Sequence, residues 1–283
     1  MLKRILLLVA ETASSYAARD YAFRLAKQCG AEVAGLAGID LYAVDVRMPG
    51  TLSAISFKAK LDEELKAQAS QARQRLRAGF EQQCRDAGVA GDWLSFEGRM
   101  ADEGDMAETL HLAAETCDLL ISGHDTMFRG ELFETRSEMV SKLLMISPRP
   151  VVICPEELSK SGDILVAYDG SMPAMRALQL FVLLGIGAGR RIQVTSIDED
   201  RNVAERRVEG AAKYLRSHGL EVSVAPVTTS VHPAEVLRIQ IAQCETATMV
   251  MGAYGNRGLR EMLFGSTTNP IVENPPCPLF LYR

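Results

Sequence analysis

The run Ile5-Leu6-Leu7-Leu8-Val9-Ala10-Glu11 returns later in the chain as Asp163-Ile164-Leu165-Val166-Ala167-Tyr168-Asp169, an offset of 158. Asp118-Leu119-Leu120-Ile121-Ser122-Gly123 returns as Ala247-Thr248-Met249-Val250-Met251-Gly252, an offset of 129. Pro150-Val151-Val152-Ile153 returns as Pro278-Leu279-Phe280-Leu281, an offset of 128. Self-similarity of this kind means the same unit is built twice. The change in offset puts about 30 extra residues in the middle of the first copy. Their expected place is the Pro49-Gly50 segment, Leu41 to Lys60, and a longer helix after it. The repeated runs are rich in Val, Ile and Leu and do not alternate with polar residues. Strands buried on both faces read this way, as in a parallel sheet covered by helices.

Short apolar runs alternate with amphipathic stretches through each half. Strands are expected near 4–9, 32–39, 92–96, 118–122 and 150–153, then near 163–168, 191–197, 221–227, 247–251 and 278–282. Helices are expected near 14–29, 57–87, 102–115 and 137–146, then near 172–186, 201–217, 232–243 and 266–273. The fold class is therefore α/β: two tandem doubly wound domains, each a five-stranded, mostly parallel sheet flanked by helices. The polar, turn-prone stretch Pro155 to Gly162 separates them, giving domains 1–155 and 163–283.

Composition excludes several classes. At 283 residues, 47% hydrophobic and 24% charged, the chain can bury two ordinary cores without disulfides or metal. A formal net charge of −5 argues against nucleic acid as the main partner, because a phosphate backbone demands a basic face. No stretch approaches 18 uncharged apolar residues, so no membrane span is expected. Met1 to Ala10 superficially resembles a leader, but Glu11 interrupts the apolar run before a cleavage site, and a first strand is the better reading. The six cysteines form no CxxC pair and no zinc-like spacing, so no metal ligands are assigned. Reduced thiols and a cytoplasmic location are expected.

The chemistry-bearing segment is Met251-Gly252-Ala253-Tyr254-Gly255-Asn256-Arg257-Gly258, continuing to Phe264-Gly265-Ser266-Thr267-Thr268. It leaves a strand, runs through glycines that admit a close-approaching polyanion, and reaches Ser266 and Thr267 at an expected helix start. Gly252, two residues, Gly255, nine residues, Gly265-Ser266 resembles the nucleotide-binding signature of the ATP-binding branch of the universal stress protein family. Asp169-Gly170-Ser171 after the domain's first strand, and Pro278 to Leu281 as a final strand, fit the same family. The resemblance covers both halves. It implies a tandem universal stress protein with an adenine nucleotide (ATP, or ADP or AMP) held by Asp169, Ser196, Met251, Gly252, Gly255, Gly265, Ser266 and Thr267. Asp169 is also a candidate Mg²⁺ contact. It further implies pairing through the last strands, 150–153 and 278–282, as an intrachain pseudo-dimer, with association of two chains left open. Arg257 and Arg260 lie in the loop, either as a solvated face or leaning on phosphate.

The first half departs from this pattern. Gly123 and Ser137 remain, but Thr126 and Arg136 stand where glycines belong, and Glu11 replaces the aspartate. Asp125, Glu131 and Glu134 add like charge where phosphates would sit. A degenerate first site is expected, left open as empty, a dimer surface or a seat for another small ligand. Gly185-Ile186-Gly187-Ala188-Gly189 follows a helix, the reverse of a dinucleotide fingerprint, and reads as a helix-end turn. His124 beside Asp125 reads as a polar loop, and His232-Pro233 as a helix start. Three functions remain: a nucleotide-dependent stress-response module read by a protein partner, a slow ATPase or nucleotidyl-transferring enzyme, and an interaction protein that binds no nucleotide.

Overall fold

The computed structural model describes all residues except 38–51, 96–102, 126–134, 160–161 and 255–263. Ten strands form one sheet: β1 (Arg4–Val9), β2 (Glu32–Ala37), β3 (Gly91–Trp93), β4 (Leu119–Gly123), β5 (Val151–Cys154), β6 (Ile164–Ala167), β7 (Ile192–Asp198), β8 (Val222–Thr228), β9 (Thr248–Gly252) and β10 (Leu279–Tyr282). Their spatial order is β3-β2-β1-β4-β5-β10-β9-β6-β7-β8. The two halves thus repeat one strand order, in agreement with the repeat in the sequence. The strands of each half are parallel to one another, and the halves meet where β5 and β10 pair antiparallel, Phe280 opposite Val152. This is the pairing through 150–153 and 278–282 that the resemblance implied. A single sheet forms because an isolated fifth strand, apolar on both faces, would be an open edge.

The helices are α1 (Ala13–Cys29), α2 (Leu52–Ala87), α3 (Glu103–Glu115), α4 (Arg136–Ile146), α5 (Met172–Leu184), α6 (Arg201–Ser217), α7 (Pro233–Gln243) and α8 (Thr268–Glu273). Their buried residues sort onto two faces of the sheet. Ala18, Phe80, Phe181 and Val208, from α1, α2, α5 and α6, share one cluster with Ile5, Leu7 and Phe280. Leu110, Leu143, Leu237 and Ile271, from α3, α4, α7 and α8, share the other with Leu6, Leu8 and Leu281. Adjacent strand residues feed opposite cores, which is why the runs are continuously apolar. The extra length of the first half lies partly in α2, 36 residues against 17 in its counterpart α6. The helix begins at Leu52, before the expected 57, and the rest of the expected insertion is outside the described residues.

The local signals act as the sequence suggests. Thr12, Ser171 and Asp200 cap α1, α5 and α6 through side-chain oxygens that accept from Ser15, Ala174 and Asn202 amides. Gly185 ends α5 in the left-handed region at φ 75°, so the Gly185–Gly189 stretch is the expected turn. Both faces carry buried contacts between the halves. The Tyr21 and Thr248 hydroxyls lie 3.0 Å apart, and the Ser141 and Tyr254 hydroxyls 2.9 Å apart. No described helix is long and apolar enough to cross a membrane.

Candidate functional site

The C-terminal half splits open at the carboxyl end of β6. Ala167, the last residue of β6, pairs with Thr195 on one side and Met251 on the other. β7 runs on past it to Asp198, beside β8 alone, and β9 runs on to Gly252, beside β10. The chain leaves β6 toward β7 and later returns to β9 on the other flank. This is the topological switch point at which open α/β sheets bind ligands.

A cleft of about 550 Å³ lies there, lined by Ala167, Tyr168, Asp169, Thr195, Ser196, Ile197, Pro233, Leu237, Met251, Gly252, Gly265, Ser266, Thr267 and Thr268. Of the sequence-predicted residues, Asp169, Ser196, Met251, Gly252, Gly265, Ser266 and Thr267 all face it; Gly255 lies outside the described residues, as do Arg257 and Arg260. Each is put there by its element. Asp169 closes a turn in which its carboxylate accepts from the Ser171 amide at 2.9 Å, and Gly170 takes φ 76° to make that turn. Gly252 is required by packing: a Cβ there would stand 2.6 Å from the Ala174 amide nitrogen, because the start of α5 rests on the end of β9. Ser196 lies inside β7 rather than at its end. It is 2% exposed, and its Oγ has no hydrogen-bond partner among the described residues. Thr195 beside it spends its hydroxyl on the Ala225 carbonyl at 2.9 Å.

The helix that follows the glycine loop begins at Thr268, later than the expected 266, and is only six residues long. Thr267 is its cap residue, but its side chain makes no capping bond. The Gly265 carbonyl accepts from the Thr268 and Asn269 amides at 3.0 and 3.1 Å. Ser266 is exposed at the cleft. So short a helix contributes little dipole, and polar recognition falls to hydroxyls and backbone amides at Gly265, Ser266 and Thr267.

Sequence reasoning missed half of the wall. Tyr168, Ile197, Pro233 and Leu237 supply apolar surface beside Met251, which suits a flat heteroaromatic group. Burial, the neighbouring Asp169 carboxylate and, in opposition, Arg207 set the Tyr168 phenol, with the balance upward. Arg207 itself pairs with Asp198 at 2.7 Å, and its Nε would lie 3.4 Å from a Cβ placed on Gly170. A backbone bond from the Asp200 amide, followed by Arg207, holds the Asp198 carboxyl below the usual aspartate range. The fixed salt bridge along α6 and β7 gave no sequence signal because its partners are unremarkable surface types.

The corresponding place in the N-terminal half is filled by the protein's own groups. At the start of α1, the Asp125 carboxylate accepts from the Thr12 hydroxyl at 3.0 Å and from the Ser14 hydroxyl. At the start of α4, Arg136 and Ser137 occupy the positions of Gly265 and Ser266. Their amides donate to the Glu273 carboxylate at 3.4 and 3.0 Å. A carboxylate from the opposite half thus sits on these amides. In α4 the residue matching Glu273 by the same offset is Leu144, 1% exposed, so no carboxylate is returned. Thr126, Glu131 and Glu134 lie outside the described residues. His124 is buried, and burial and then Arg136 lower its imidazole pKa.

An α/β fold with a nucleotide-sized cleft at its switch point defines a class that known proteins share. A model of the universal stress protein family matches residues 161–283. The universal stress protein in the QAH/OAS sulfhydrylase 3′ region of Thermus aquaticus is 30% identical over 135 residues, 42% of this chain and 97% of that protein. A universal stress protein of Synechocystis sp. is 22% identical over 146 residues; the chain spans 50% of that relative's length. The crystal structure of a universal stress protein from Archaeoglobus fulgidus DSM 4304 superposes with a TM-score of 0.64 at 19% identity, covering 99% of this chain and 96% of that one. A functionally unknown Pseudomonas aeruginosa protein gives a TM-score of 0.54 at 15% identity over 99% of this chain and 92% of that one. The chain belongs to the universal stress protein family.

Proposed function

We propose that the chain is a tandem universal stress protein, with domains 1–155 and 163–283, whose C-terminal domain binds one adenine nucleotide and whose N-terminal domain has lost that site. ATP is the first choice of ligand, with ADP or AMP as alternatives. The observation that carries the reading is the cleft itself: every sequence-predicted site residue that is described lines it. Its apolar wall suits the base, and its glycines and hydroxyls suit ribose and phosphate. In the N-terminal domain, Asp125 and Glu273 already bond the hydroxyls and amides that phosphates would need, and these two carboxylates would repel a third negative group.

The lining favours binding over turnover. Asp169 is its sole carboxylate and no histidine is present among the lining residues, so no paired acid and base face one another. A Mg²⁺ accompanying the nucleotide would find one protein carboxylate and would be held chiefly by phosphates and water. Bound phosphates commonly switch a protein surface, and a protein partner in a stress response reads the surface around the occupied cleft. All six cysteines are free, and burial raises the thiol pKa of Cys84 to about 11 and of Cys277 to about 12. Thiols kept in this form suit a cytoplasmic home.

Calorimetric titration of the nucleotide-stripped full chain with ATP tests the reading. One site per chain is expected. Asp169→Ala, an exposed position, should weaken binding by about tenfold or more, as expected for loss of a charge-assisted hydrogen bond worth ~1.5–3 kcal/mol. Glu11→Ala, its counterpart, should change nothing. Two equivalent sites, or an Asp169→Ala variant that binds like wild type, would contradict it.

A further inference from the structure

The sequence reading left His124 and Asp125 as a polar loop, because they stand there as a lone pair. The sheet supplies the missing partner. β4 and β5 are neighbours, with Gly123 opposite Cys154, and the His124 amide donates to the Cys154 carbonyl at 3.0 Å. That bond sets the residues just beyond both strand ends side by side, and Glu156 arrives next to His124 and Asp125. One ligand atom from each of the three lies within 4.8 Å of the others.

His124 provides an independent sign of an absent ligand. It is 3% exposed, and its Nδ1 is buried without a hydrogen-bond partner among the described residues. A buried, unpartnered ring nitrogen costs free energy unless something occupies it. Asp125 is held in place by the Thr12 and Ser14 hydroxyls, as metal-binding carboxylates are oriented by outer hydrogen bonds. The local charge also suits a cation. Two carboxylates face one guanidinium, Arg136, and the start of α1, worth about half a positive charge.

We propose that His124, Asp125 and Glu156 form a seat for a divalent first-row transition cation, of the zinc and manganese class, in the N-terminal half. One imidazole with two carboxylates is a borderline-hard donor set, and three protein ligands leave a position for water or an incoming anion. The seat occupies the place where the first copy of the fold would otherwise hold nucleotide, and it is independent of the cleft in the second copy.

Titration of the nucleotide-free full chain with Co²⁺, followed by visible absorption, tests the seat. Expected is one Co²⁺ per chain, with d–d bands and no thiolate charge-transfer band, which excludes the cysteines. Glu156→Gln, at an exposed position that folding does not use, should weaken binding by at least ~10-fold, the scale of losses at metal sites. His124→Asn should abolish it. ATP binding by both variants should match wild type, so this outcome and that of the nucleotide reading separate. No Co²⁺ bound at millimolar concentration, binding that both variants retain, or a thiolate band would each overturn the proposal.

Discussion

Ser196 shows what a single residue in this family fold is asked to do. Its hydroxyl is buried at the floor of the cleft and has no hydrogen-bond partner among the described residues, so in the free protein it is a cost rather than a support. Ser196→Ala should therefore leave the thermal midpoint of the ligand-free protein unchanged or raise it. It should weaken ATP by about two- to tenfold, the worth of one net hydrogen bond of ~0.5–1.5 kcal/mol. Melting curves without ligand, beside calorimetry with it, check both signs; a variant that loses stability and keeps affinity would make Ser196 a packing residue. The glycines and Ser266 were readable because their spacing is itself the chemistry. Ser196 was readable only through a strand alignment. Tyr168, Ile197, Pro233 and Leu237 carried no signal, because apolar residues near strand ends look the same whether they line a core or a cleft.

At the scale of elements, one long-range contact contributes to the asymmetry between the halves. Glu273, at the end of α8, bonds the first amides of α4, and the matching residue of α4 is the buried Leu144. Glu273→Ala should cost about 1 kcal/mol, the usual value of a lost helix cap, measured as a shift in the urea midpoint at constant slope. The same variant should still bind one ATP per chain, because Arg136 and Asp125 remain in the first site. A loss below a few tenths of a kcal/mol would reduce Glu273 to a solvated neighbour. Strands and helices were placed well by periodicity, since their faces bury apolar side chains at regular intervals. The Glu273 contact, which adds to the Thr135 cap of α4, was invisible because it joins residues 136 and 273, and no local pattern records which carboxylate will reach which helix. The helix after the glycine loop was drawn two residues early because Ser266 and Thr267 are good cap types, whereas Thr267 takes the cap position with no capping bond.

The whole molecule is one sheet with a continuous apolar layer on each face. Leu2, Val33 and Phe80 of the first half share a cluster with Val166, Phe181 and Phe280 of the second, and Tyr21 meets Thr248 across it. Such a core should unfold as a unit. The chain has a single tryptophan, Trp93, on β3 at the far edge of the first half. Its fluorescence should lose its native value in urea at the same midpoint as the far-UV circular dichroism of both halves. Two separated transitions would show that β5 and β10 join units that fold alone. The joining itself, through 150–153 and 278–282, was foreseeable from the family resemblance. Its consequence, that the second half places a carboxylate in the first half's anion position, was not. The central claim is one nucleotide site, in the second copy. It is tested most directly by acid release of nucleotide from the purified chain, quantified by chromatography, beside a Gly265→Arg variant that carries in the second copy what Arg136 already is in the first. The account predicts about one adenine nucleotide per wild-type chain and none from the variant. Equal release from both, or close to two per wild-type chain, would contradict it.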